Sequence, residues 1–330
     1  MRPATRSDIR KGDRIRASLR GWLIAVAASC WAAQTALAVK PGEVSTTAEA
    51  VCAYRAIAAQ HPDPKLRNPD DLAAKLCRSR MVLPRDYASA RPFIDNSGET
   101  YAPYFFVNAR THYIDAALRR AAEEGATQVV VLGAGFDSRA YRFRASHPQL
   151  RFFEVDLPAT IEAKQKRLAE LYGAVPAYVR YAPIDFNTQK LEDVLLGQGY
   201  DPAQRTFFIL EGVVMYVSDA GNDATFRFIR SRSGSGSRVV YDYVLRRVIE
   251  GRYEGLYGAG SIAIAVAVAG EPYVSGWTPR QAAAFVKRHR LQLVEDVDAK
   301  ELARRHLVGS DGKPDGRIID WSRIVEARVP

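Results

Sequence analysis

The residues with the clearest chemical pattern follow an apolar run. Val129-Val130-Val131-Leu132 leads into Gly133-Ala134-Gly135-Phe136-Asp137-Ser138-Arg139. Glycines at a strand-to-helix turn let the backbone approach a nucleotide, and the free N–H groups of the helix start face it. Asp156 closes the next apolar run, 23 residues beyond Gly133, where a carboxylate can accept hydrogen bonds from both ribose hydroxyls. Asp185 closes a third run just before Phe186, the position at which an adenine ring is held. Each acid alone reads equally well as a helix cap. Three such features on consecutive strand ends favour a nucleotide-type cofactor.

NAD and S-adenosylmethionine both suit this plan. Ser138 stands where the NAD fingerprint has its third glycine. No Tyr-x-x-x-Lys pair and no P-loop occur in the chain. The methyl donor is therefore the favoured cofactor.

These residues need a sheet to hold them, and the pattern supplies one. Strands are predicted at 128–132, 151–155, 178–185, 206–210 and 238–244, with two more near 291–297 and 318–327. Between them, helices are predicted over 159–172, 188–196, 219–232 and 278–289, the last with Pro279 at its first position. Continuous apolar runs alternating with helices argue for a doubly wound, mostly parallel α/β sheet. Upstream, a helix over 45–60 starts at Ser45 or Thr46, with Glu49 placed as in a capping box. A loop at 61–69, a short helix at 70–79 and a proline-containing loop to about residue 103 precede a helix over 104–124 that stops at Gly125. The glycine- and tyrosine-rich segment 245–275 interrupts the rhythm after the fifth strand. That is the ligand-binding edge of such sheets, so a lid is expected there.

Composition sets the limits. The 330 residues are 47% hydrophobic and 25% charged, which excludes a mostly disordered chain or a multi-span membrane protein. Cys30, Cys52 and Cys77 form no CxxC or Cys/His cluster, so no metal site is expected. The net charge of +10 is misleading. Residues 1–38 carry seven basic and two acidic side chains, half of the excess. The rest of the chain has no concentrated basic stripe, and no nucleic-acid partner is expected. The same 38 residues have a basic start, the apolar run Gly21–Ala28 and Ala36-Leu37-Ala38, the parts of a secretory signal. A start called too far upstream, with the true one near Val39, explains them equally well.

The motifs LGAGFDSRAYR (132–142), FFEVDLPATIEAK (152–164), APIDF (182–186) and FILEGVVMYV (208–217) resemble the leucine carboxyl methyltransferase family. ARTHYID (109–115) is similar to that family's Arg-containing helix. The resemblance covers roughly residues 40–330 and is greatest to the bacterial branch of S-adenosylmethionine-dependent methyltransferases, including polyketide-type O-methyltransferases. It implies a class I, Rossmann-like sheet of seven strands with N-terminal helices. It also implies that Arg110 pairs with the cofactor's methionine carboxylate and that Gly133, Ala134 and Gly135 lie beneath the cofactor. Asp156 would meet the ribose, Asp185 and Phe186 the adenine, and Glu211 the methionine amino group. His112 stands where relatives carry another basic residue and is given no role.

The division expected is an extension over 1–38, a helical cap over 39–124 and a cofactor-binding core over 125–330 with the insertion 245–275. The expected reaction is in-line transfer of a methyl group to a carboxylate or hydroxyl of a small molecule. A carboxylate needs no general base; a hydroxyl would want one, and Tyr216 is the candidate. A non-catalytic S-adenosylmethionine-binding protein and, behind it, an NAD-dependent oxidoreductase are the alternatives. Because the donor is made and kept in the cytoplasm, a cytoplasmic chain is expected over an exported or membrane-anchored one. No stable membrane insertion of the body is expected. Oligomeric state leaves no signature.

Overall fold

The computed structural model describes residues 43–79, 81, 83–184 and 189–330. The readings for residues 1–38, Asp185 and Phe186 lie outside them.

The central strands are apolar on both faces. In β1 (Gln128–Leu132) and β4 (Thr206–Leu210) every residue is buried. Val129, Val131, Phe207 and Ile209 enter one core, whereas Val130, Leu132, Phe208 and Leu210 enter the other. This period-two split is how continuous apolar runs fill a sheet covered on both sides. With β2 (Arg151–Asp156), β3 (Val179–Pro183), β5 (Arg238–Val244), β6 (Gln292–Asp298) and β7 (Ser322–Arg328), they form a seven-stranded sheet of order β3-β2-β1-β4-β5-β7-β6. β1 to β5 are parallel, and β7 runs antiparallel to both β5 and β6. The order reverses between β1 and β4, and ligands bind at the carboxyl ends of strands beside such a reversal.

Four helices precede the sheet: α1 (Thr46–Ala58), α2 (Ala73–Leu76), α3 (Tyr87–Asn96) and α4 (Pro103–Glu123). Ser45 caps α1 by accepting the Ala48 N–H. The region up to residue 103, expected as loop, contains α3. Asp86 caps it by accepting the Ser89 N–H, and Pro92 is accommodated in its interior. The expected helix over 70–79 contracts to the single turn of α2.

Between and beyond the strands come α5 (Arg139–Arg142), α6 (Pro158–Tyr172), α7 (Leu191–Gly197), α8 (Asp219–Ser231), α9 (Arg246–Ile249), α10 (Ala259–Val268), α11 (Pro279–Arg288) and α12 (Ala299–His306). α12 was not expected. Asp298 caps it, Glu301 pairs with Arg304 and Arg305, and only Ala299 and Leu302 are buried, so its apolar signal is slight. The segment 245–275 holds α9 and α10. Among the described residues no helix is long and apolar enough to cross a membrane.

Candidate functional site

At the carboxyl end of β1 the backbone turns sharply. Gly133 and Gly135 take φ +66° and +45°, the left-handed region that side chains disfavour. A β-carbon on Gly133 would lie 2.5 Å from Val213 Cγ2. Gly133→Ala should therefore lose more than the about 1–2 kcal/mol of left-handed strain alone. Urea unfolding measures this, and an unchanged midpoint would contradict the tight turn.

Asp156 ends β2 opposite this turn. Its Oδ2 accepts the Gly135 N–H at 2.6 Å and its Oδ1 the Leu157 N–H at 2.7 Å. Among the described residues it has no ion pair. Burial pushes its carboxyl above the ordinary value, against the pull of those two N–H groups. An acid so placed keeps acceptor capacity for hydroxyl donors.

The third part gathers at β4 and β5. Glu211 follows β4 and lies among three guanidinium groups. Arg110 Nε of α4 is 3.1 Å from Oε1, Arg139 Nη1 of α5 is 2.7 Å from Oε2, and Arg55 Nη1 of α1 is 4.0 Å from Oε1. Burial alone would raise the Glu211 carboxyl. Arg139, Arg110 and Arg55 outweigh it and hold the group well below the usual range, so it is ionised. Arg110 also reaches Asp242 Oδ2 of β5 at 2.6 Å, and Asp242 Oδ1 accepts the Gly212 N–H. The guanidiniums are braced further. Arg55 bonds Asp70 at 2.8 Å and the Phe136 carbonyl at 2.9 Å, while Arg139 bonds Asp115 at 2.7 Å and Asp137.

The fold thus brings Gly133, Ala134, Gly135 and Asp156 to one strand-end edge, and Arg110 and Glu211 into direct contact beside it. Sequence reasoning missed Arg55, Arg139 and Asp242. Two of them carried a signal: Asp242 is an acid inside the buried strand RVVYDYV, and Arg55 interrupts the apolar side of α1. Arg139 sat within the glycine-turn motif but was assigned nothing.

Tyr216, in the short 3₁₀ turn Val214–Tyr216, lies against Thr47 and Tyr273. Burial pushes its phenol well above the ordinary value, helped by Glu271, so it is protonated at neutral pH. Tyr273 comes from the 245–275 segment, and its ring stands 5.3 Å from that of Tyr216. Glu271 of the same segment accepts the Ser45 Oγ–H at 3.0 Å, the Thr46 N–H at 2.8 Å and the Thr47 hydroxyl. His112 instead stacks on His306 of α12 with ring centroids 6.0 Å apart. Burial lowers its pKa.

A parallel sheet reversing at β1/β4, with an antiparallel β7 inserted between β5 and β6 and carrying a glycine turn and strand-end acids, defines a Rossmann-like fold of the class I methyltransferase type. The leucine carboxyl methyltransferase family matches residues 48–230, more than half of the chain, and the chain belongs to that family. A Bacillus subtilis relative named "Putative S-adenosyl-L-methionine-dependent methyltransferase YktD" is 29% identical over 59% of this chain and 63% of its own length. The match thus spans just under two thirds of that relative. A Frankia alni protein with the same description is 32% identical over 68% of this chain and 77% of its own. Among solved structures, a DUF574-family protein from Streptomyces avermitilis superposes with a TM-score of 0.53 at 18% identity. That likeness covers 77% of this chain and 94% of the other, and it bears on the fold.

Proposed function

We propose that this chain transfers a methyl group from S-adenosyl-L-methionine to an oxygen of a small molecule, a carboxylate before a hydroxyl. The contact of Arg110 with Glu211, one strand end away from Asp156, carries the reading. An amino-acid carboxylate and ammonium need one fixed cation and one fixed anion side by side. Arg110 spends Nε and Nη1 on its acids, and among the described residues Nη2 has no partner and is left for the methionine carboxylate. Glu211, held ionised by its arginines, faces the ammonium. Asp156 accepts the ribose hydroxyls, and the close glycine turn passes beneath. Asp185 and Phe186 complete the adenine side in this proposal.

When bound, the donor supplies a sulfonium methyl that is already activated. The protein's share is to hold the acceptor in line and to exclude water. The protonated Tyr216 phenol is no base at neutral pH, which favours an acceptor that arrives ionised. The segment 245–275, joined to the start of α1 through Glu271, acts as the lid, and the helices before β1 as the cap. Removing a general base costs about 10²–10⁴-fold in rate. Tyr216→Phe should therefore keep most of its kcat on a carboxylate acceptor, whereas a loss of that size would move the acceptor to a hydroxyl.

Labelled methyl from the donor, presented with a panel of small carboxylic acids and phenols, tests the proposal. A base-labile labelled ester is the expected product; label found only on nitrogen would defeat it. We also place the enzyme in the cytoplasm, where the donor is made. N-terminal sequencing that finds a Val39 start outside the cytoplasm would overturn this.

A further inference from the structure

Two cysteines outside the donor chemistry are held together. Cys52 lies on α1 and is fully buried; Cys77, just after α2, is partly exposed. The Cys52 Sγ–H points to the Ala73 carbonyl at 3.5 Å, the same oxygen that accepts the Cys77 N–H at 2.8 Å. The Cys77 Sγ–H points back to the Glu49 carbonyl at 3.6 Å, one helical turn before Cys52. Helical side chains lean toward the N-terminus, so Cys52 covers that same turn.

The neighbourhood clamps these two segments. The Glu49 carboxylate accepts the Arg78 N–H at 2.8 Å and Arg167 of α6 at 2.5 Å, while Arg167 also donates to the Leu76 carbonyl at 2.7 Å. One acid and one arginine thus join the turn before Cys52 to the residues on either side of Cys77. The sulfurs meet chemically as well. The neighbouring Cys52 and the Ser79 N–H, 3.4 Å from Cys77 Sγ, hold the Cys77 thiol below the ordinary value, whereas Cys77 and burial raise Cys52. A partly exposed thiol that ionises readily next to a buried one is an attacking and resolving pair.

We propose that Cys52 and Cys77 form a reversible disulfide that fastens α1 to the end of α2. With oxidised glutathione as oxidant, the Cys77 thiolate attacks one of its sulfurs, forming a mixed disulfide and releasing one glutathione thiolate. Cys52 then gives up its proton and attacks the Cys77 sulfur, and the second glutathione thiolate leaves. Two cysteine thiols are oxidised and one glutathione disulfide is reduced, so electrons and protons balance. A bridge of this kind in a cytoplasmic protein is transient and redox-sensing. Its position gives it a consequence. α1 also carries Arg55, which braces Glu211, and Ala48, which lies beneath Gly135.

The test uses the full chain, exposed to oxidised glutathione while folded and then denatured with an alkylating reagent present. The expected result is a fall from three alkylatable thiols to one, restored by dithiothreitol. Combined trypsin and Glu-C digestion should yield the fragment Ala50–Arg55 joined to Leu76–Arg78, lighter than the two free fragments by two hydrogens. Cys77→Ser should abolish the joined fragment. Mapping the natural chain decides the matter even if that variant folds poorly. Three thiols still open to alkylation, a glutathione adduct on Cys77 that never resolves, or a bridge that includes Cys30 would each overturn the proposal.

Discussion

Asparagine in place of Asp156 is expected to weaken binding of S-adenosylhomocysteine, the demethylated cofactor, about 100-fold. Hydrogen bonds to a charged group contribute about 1.5–3 kcal/mol each, and a tenfold change in affinity is about 1.4 kcal/mol. The substitution removes the charge that two ribose hydroxyls would meet. Folding should suffer little. Burial already disfavours the Asp156 anion, and no ion pair among the described residues is lost with it. The local cost is confined to an amide nitrogen facing the N–H of Gly135 or Leu157. Calorimetric titration combined with urea unfolding separates the two effects. An unchanged affinity in the folded variant would remove Asp156 from the site.

The largest effect on stability is expected from Lys164→Met. Lys164 Nζ of α6 lies 2.7 Å from Glu154 Oε2 of β2, with both side chains wholly buried. Removing the cation strands a carboxylate in the interior, which costs about 3–5 kcal/mol. The loss should depend on pH. Burial raises Glu154 from 4.5 to about 7, against the opposing pull of Lys164. A carboxyl raised in the folded state contributes stability that is fully present below 4.5 and is lost as pH rises through about 7. Without Lys164 the folded value climbs further, so the variant should be least harmed near pH 5 and most harmed near pH 8, both values being approximate. Adding Glu154→Gln should flatten that slope. Urea midpoints across this range measure it, and a loss independent of pH would show that Glu154 is not the group left behind.

Much of this architecture was legible because buried parallel strands announce themselves. RFFEV and TFFIL have no other comfortable place, and the glycine turn and Asp156 follow directly from where those runs end. Two of the helices that escaped did so for opposite reasons. Pro92 argued for a loop across 80–103, yet the Asp86 cap and the short length of α3 accommodate it. α12 buries only two of its residues, so charge pairing and not apolar spacing sustains it. Within the site, the strand-end acids could be read one element at a time. The arginine cluster could not. Arg55, Arg110 and Arg139 lie on three helices and converge only when α1, α4 and α5 pack over the end of β4. Strand order was equally hidden, since insertion of β7 between β5 and β6 depends on pairings distant along the chain.

The strand-end edge formed by β1, β2 and β4 is expected to bind an S-adenosyl cofactor. Titration of S-adenosylhomocysteine into the full-length chain, shown to be folded by circular dichroism, tests it most directly. Saturable binding, tighter than that of NAD, is expected. No heat from a folded chain, or a preference for NAD, would contradict it.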